Sequence, residues 1–226
     1  MDTITPELFR FERALPNGWS LNMFAVRLPG GGTLVHSPTW MGDGTFDEVE
    51  KVGEPRVLVA PNHFHHLSLE RFRKRYPRAL AVANEAAIPR LLQKGHAGMQ
   101  DLAATRELLP PGARWLRCGG TKNGEAWLSL PGDGGPTWIV CDAFFNPMRP
   151  VTGFMGLATR ALRIGPGLSI GTTFKLVGIE KAADYREWAL RAVDEEKPRR
   201  VLFSHGEAIE GEGVPARLRE IIRARV

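Results

Sequence analysis

Three of the chain's six histidines fall within four positions, at His63, His65 and His66. They follow the apolar run Val57-Leu58-Val59-Ala60, long enough for a strand, and the turn residues Pro61 and Asn62. Imidazole binds transition metals as the neutral base near pH 7. In an extended chain His63 and His65 point to one side and His66 to the other. A turn breaks that alternation and lets His65 and His66 converge on one ion. Two later strand ends repeat the layout: Asp142 follows Trp138-Ile139-Val140-Cys141, and His205 follows the strand ending at Phe203. An acid after a strand also serves to cap a turn, and a lone His-Gly turn is commonly structural, so each is weak by itself. The repetition points to metal binding, because rigid strand ends can hold ligands around one point.

The elements that must position these residues read as follows. Residues 1–19 are an apolar lead-in closed by the turn Pro16-Asn17-Gly18. Residues 20–28 and 33–37 form a hairpin through Pro29-Gly30-Gly31-Gly32. The Gly- and acid-rich segment 39–54 reads as an exposed loop. Residues 56–60 read as a strand, continuously apolar from Val57, as in one buried on both faces. Ser68 stands at the N-cap of a helix carrying Leu69, Phe72 and Tyr76 and stopped by Pro77. A short strand follows at 79–83, then a helix with Pro89 in its first turn and Gly95 at its stop. Strands are expected at 113–118, 125–130, 137–141 and 200–204. Tyr185, Trp188, Ala189, Ala192 and Val193 mark one helix, and Leu218, Ile221 and Ile222 another. With no linker in view, this is one domain, 1–226, of α/β (α+β) class, with two sheets and helices outside.

The chain has 226 residues, 43% of them hydrophobic and 24% charged, an ordinary soluble composition. No apolar run approaches a membrane span. The N-terminus lacks a basic region followed by an apolar core, which predicts no secretory signal and a cytoplasmic protein. Cys118 and Cys141 make no disulfide framework and read as small buried hydrophobes. The net charge of +5 is a mild excess. Its densest run, Arg71, Arg73, Lys74, Arg75 and Arg78, reads as a solvated helix face without the interleaved aromatics that stack bases, so no nucleic-acid partner is expected.

Taken together, these motifs resemble the metallo-β-lactamase superfamily. Asn22-Met23 with Val35-His36-Ser37-Pro38, and Ala60-Pro61-Asn62 with His65-His66, look like an uncharacterised branch of it. The resemblance implies a four-layer αβ/βα sandwich. It also implies a ligand motif His-x-His-x-Asp-His after a strand, a His in a Gly-rich turn, a strand-end Asp, and a C-terminal strand-end His. Laid over that motif, Pro61 replaces the first His, His63 matches the second, His65 replaces the Asp and His66 matches the last. Asp142 and His205 match the two strand ends. Thr121 stands where the Gly-rich turn should carry a His.

The first metal position thus loses Pro61 and Thr121, while the second keeps His65, His66, Asp142 and His205. This implies one divalent ion per chain, zinc first, with iron or manganese as alternatives. His63 is expected near the ion, behind its ligands or as an added weak ligand, and His36 reads as a residue behind the ligands or a plain turn histidine; His96 reads as a surface residue. The resemblance implies hydrolysis of an ester, thioester, lactone or phosphoester by a metal-bound water, with Asp142 as ligand and catalytic orienter. Four protein ligands, however, describe a closed structural site, so activity requires an expanded shell or one ligand standing off. The apolar stretch 144–178, with Phe144, Phe145, Met148, Phe154, Met155, Leu157, Leu162 and Ile164, packs a helix on the core, roofs a pocket for a small apolar or acyl substrate, or forms a homodimer face. Lys175 is a candidate anion contact. The alternative is a catalytically silent metal- or ligand-binding protein on the same scaffold; an iron redox enzyme is a third reading.

Overall fold

A computed structural model of the chain describes residues 1–15, 19–148, 152–153, 156–157, 161 and 166–226. Of the apolar stretch, Phe154, Met155, Leu162 and Ile164 lie outside the described residues, as does the turn 16–18. The chain divides into two compact units, one of residues 1–13 and 21–110, the other of residues 14–20 and 111–226.

The first unit carries a seven-stranded sheet in chain order: β1 (Asp2–Thr5), β2 (Leu8–Ala14), β3 (Ser20–Arg27), β4 (Thr33–His36), β5 (Pro55–Ala60), β6 (Leu80–Ala83) and β7 (Gln100–Asp101). Strands β3 and β4 form the expected antiparallel hairpin, whereas β4 to β7 run parallel. Three short helices connect them: α1 (Thr45–Glu50), α2 (Leu69–Arg75) and α3 (Ile88–Gln93). Leu58 and Ala60 of β5 share a core with Val49, Leu69, Phe72 and Leu91 of these helices. The alternate residues Val57 and Val59 are buried as well, which is why β5 reads as an unbroken apolar run.

Two expectations change here. The lead-in forms strands β1 and β2, whose Leu8, Phe9 and Phe11 are buried. The loop 39–54 contains α1, with Thr45 and Val49 turned inward. Ser68 does precede α2, but its hydroxyl makes no cap; it accepts from the Trp40 N–H at 2.9 Å.

The second unit carries five strands in the order β12-β11-β10-β9-β8, from β8 (Arg114–Arg117), β9 (Ala126–Leu130), β10 (Thr137–Val140), β11 (Arg200–Phe203) and β12 (Ile209–Glu210). Helices α4 (Ala182–Glu196) and α5 (Val214–Arg225) bury Tyr185, Ala189, Val193, Leu218 and Ile222 in one core with Trp127, Trp138, Val140 and Phe203 of the sheet. Among the described residues no helix is long and apolar enough to cross a membrane.

Candidate metal centre

In the second unit, β10 and β11 are parallel with Val140 opposite Phe203. Asp142 and His205 each stand two residues past that pair, so the register alone brings them to one sheet edge. Asp142 Oδ1 lies 3.4 Å from His205 Nε2. The other ring nitrogen, Nδ1, faces the Ser20 carbonyl oxygen at 3.2 Å. A carbonyl only accepts, so Nδ1 carries the hydrogen, which in the neutral ring makes Nε2 the atom able to ligate. In that neutral form the facing oxygen and nitrogen lone pairs call for a positive centre between them, a proton or a metal ion. At 3.4 Å they are too far apart for a good hydrogen bond. Two ligands held about 2.0–2.2 Å from one tetrahedral ion span roughly this distance. The His205 ring stacks on Phe145, centroids 5.5 Å apart and 15° between planes, with Trp19 at 5.1 Å.

Glu125 sets the turn that carries Asp142. Its buried carboxylate accepts from the backbone N–H of Asp142 at 3.2 Å and of Ala143 at 2.8 Å. It also takes Asn123 Nδ2 and Trp127 Nε1, each at 3.3 Å. Beside it, the Cys141 thiol is buried, and burial with the Asp142 and Glu125 charges pushes its pKa well up. Its Sγ lies within 4.8 Å of an Asp142 carboxylate oxygen, so this buried thiol stands beside the candidate ligand.

In the first unit, Asn62 builds the histidine turn. Its Oδ1 accepts from the N–H of Phe64 at 2.8 Å and of His65 at 3.2 Å. His65 Nδ1 lies 2.7 Å from Ser37 Oγ. Ser37 follows β4 in a left-handed conformation, φ 57°, the kind of backbone strain that persists where surrounding contacts fix it. Next to it, His36 is fully buried, and burial followed by the charge of His65 lowers its pKa to about 3. His63 is buried with its ring against Phe64, centroids 4.1 Å apart.

His66 is engaged at both nitrogens. Nδ1 lies 2.8 Å from His96 Nε2, and Nε2 lies 3.0 Å from Lys94 Nζ. Burial, then the charges of Lys94 and the neighbouring histidines, lowers its pKa to about 4. His96 is therefore not the surface residue expected; it is 6% exposed. The cause is the end of α3. The His96 N–H returns to the Leu91 carbonyl and the Gly95 N–H to that of Leu92, with Gly95 at φ 90°. This Schellman closure pulls the chain back against the helix. Lys94 and His96 are thereby placed on either side of Gly95, both within reach of His66.

Thr121, where a further ligand was missing, donates its hydroxyl to the Cys118 carbonyl at 2.8 Å. Lys175 lines a cavity of about 310 Å³ with Ala161, Thr172, Ala224 and Arg225. Phe144 and Phe145 are buried, while Met148 and Leu157 are exposed. Sequence reasoning missed Ser20, Ser37, Lys94 and Glu125; only Glu125, a charge opening an apolar strand, carried a visible signal.

No protein-family profile matches the chain, and no curated protein matches its sequence. Solved structures do match. The chain is similar to the DIM-1 metallo-β-lactamase, with TM-score 0.68 and 10% identity over 100% of this chain and 97% of that one. A metallo-β-lactamase from Pontibacter korlensis gives TM-score 0.68 and 10% identity over 99% and 98%. FIM-1 from Pseudomonas aeruginosa, in its mono-zinc form, gives 0.62 and 13% over 98% and 93%. The chain has the metallo-β-lactamase sandwich fold, mixed α/β with two sheets, as the sequence motifs implied.

Proposed function

We propose that this chain is a metal-dependent hydrolase with a mononuclear centre. Supporting this most directly is the pair Asp142 and His205, a carboxylate oxygen and an imidazole nitrogen turned to each other at 3.4 Å. The sequence motif makes His65 and His66 the further candidate ligands; His65 Nδ1 lies 2.7 Å from Ser37 Oγ, and His66 meets Lys94 and His96. Three ligands leave a position for water, which a closed four-ligand site lacks. The donor set suits zinc, with iron or manganese as alternatives.

When bound, a divalent ion lowers the pKa of a coordinated water and polarises an ester or phosphate oxygen. The protein's part is to orient and exclude. Asp142, fixed by Glu125, offers its carboxylate to hold a water proton. Phe145 and Trp19 shield His205 from solvent. A small apolar or acyl substrate in a cytoplasmic setting fits the aromatic surroundings of His205. Charge pairing favours such a substrate over nucleic acid: Arg75 meets Glu50 at 2.9 Å, and Arg71 lies over the Trp40 ring at 4.1 Å.

Metal analysis of protein purified without chelator tests the reading, alongside a panel of ester, thioester, lactone and phosphodiester substrates. About one equivalent per chain with turnover on one class is expected. Two equivalents would overturn the mononuclear assignment. No metal and no turnover would leave a silent scaffold.

A further inference from the structure

We infer that the cavity lined by Thr172, Lys175 and Arg225 is a binding site for a small organic molecule with a compact oxyanion head, a phosphate or a carboxylate. It lies wholly within the second unit and does not depend on the metal centre. Its volume is about 310 Å³, with Ala161 and Ala224 completing the wall. Ligand pockets run from about 300 to 1,000 Å³, so this one suits a small molecule. Two of the lining residues are cations, one carries a hydroxyl, and none is acidic. Ammonium and guanidinium groups have only hydrogens to donate, and the oxygens of a phosphate or carboxylate accept them. A cleft charged one way on low-dielectric walls concentrates ions of the other sign.

The two cations are held differently. Arg225, at the end of α5, is fixed in the wall: its Nε–H and Nη2–H both donate to the Ile170 carbonyl oxygen, at 3.2 and 3.1 Å. A carbonyl is neutral, so these bonds position the guanidinium without cancelling its charge. A side chain already ordered loses less freedom when an anion arrives. Lys175 belongs to the π-helical turn Phe174–Gly178, closed by the Ile179 N–H on the Phe174 carbonyl at 2.9 Å. Such turns are rare and gather at functional sites. Lys175 is exposed and makes no ion pair among the described residues. Other cations of this unit are paired: Lys181 lies 3.9 Å from Asp184, and Arg219 lies 2.8 Å from Asp194. The cavity thus combines one anchored charge with one mobile charge, as capture of an anion requires.

The test is isothermal titration of the full chain with phenylphosphonate and with benzoate at about 0.15 M salt. Neither probe has an ester to hydrolyse. Saturable binding is expected, and the tighter probe identifies the head the site prefers. Lys175→Met should weaken it about tenfold, the scale of one hydrogen bond between charged groups, and Lys175→Arg should restore it. Arg217→Met removes an equal charge eight residues earlier on α5, roughly 12 Å away and beyond a Debye length, and should change little. Asp142→Ala should also change little. Binding lost with Asp142 would put the anion at the candidate metal centre and overturn the proposal. So would the absence of saturable binding, an unchanged Lys175→Met, or an equal loss in Arg217→Met.

Discussion

The side chain of Glu125 grips the backbone of Asp142: the carboxylate of one accepts the amide hydrogen of the other at 3.2 Å and, at 2.8 Å, that of Ala143. A buried charge is tolerable only when its lone pairs are satisfied, and here four donors satisfy them. Glu125→Gln replaces one acceptor oxygen by an amide that confronts donors. It is expected to lose about 2–4 kcal/mol of stability and to weaken metal binding. Urea unfolding of the metal-free variant checks the first effect, and an unchanged midpoint would refute the positioning role.

Ser37→Ala removes the partner of His65 Nδ1 while leaving β4 intact. Outer partners of ligating histidines typically contribute 10–100-fold in affinity, so a loss on that order is expected, with little change in Tm. Competition with a chelating dye measures it.

Gly206→Ala should be severe. A Cβ there would sit 2.1 Å from the Asn146 carbonyl oxygen, on a backbone with φ 101°. Neither the clash nor the conformation has relief, and a destabilisation above about 3 kcal/mol is expected from thermal unfolding.

Acid should unfold the metal-free protein partly through His36. Its pKa is about 3 in the folded chain against 6.5 for an unperturbed histidine, because burial disfavours the charged ring. Between those values the unfolded chain binds the extra proton. Stability therefore falls as pH drops from about 6.5 toward 3, by roughly 1.4 kcal/mol per pH unit from this group. His36→Gln should flatten that slope in urea midpoints taken from pH 6.5 to 4.

How much of the molecule is legible in its sequence follows from locality. The run 57–60, its turn and the helix after it are legible because apolar periodicity and turn chemistry lie within a dozen residues. The same holds for α4, whose stripe from Tyr185 to Val193 is buried as the spacing implies. Strands β1 and β2 are not legible, since Phe9 and Phe11 gain their meaning from pairing with distant chain. His96 reads wrongly as a surface residue because its burial depends on a helix end closing and on His66, thirty positions away. Ser20 and Ser37 are ordinary serines until register sets them against His205 and His65. The strand-end pair Asp142 and His205 can be named from sequence; the groups that orient them cannot.

The hydrogen bond from His205 to Ser20 links positions 185 residues apart. During synthesis the first residue of β3 waits for nearly the whole chain before it can meet its imidazole. Formation of the Asp142–His205 pair should thus arrive late, as a mark that β11 has been laid beside β10.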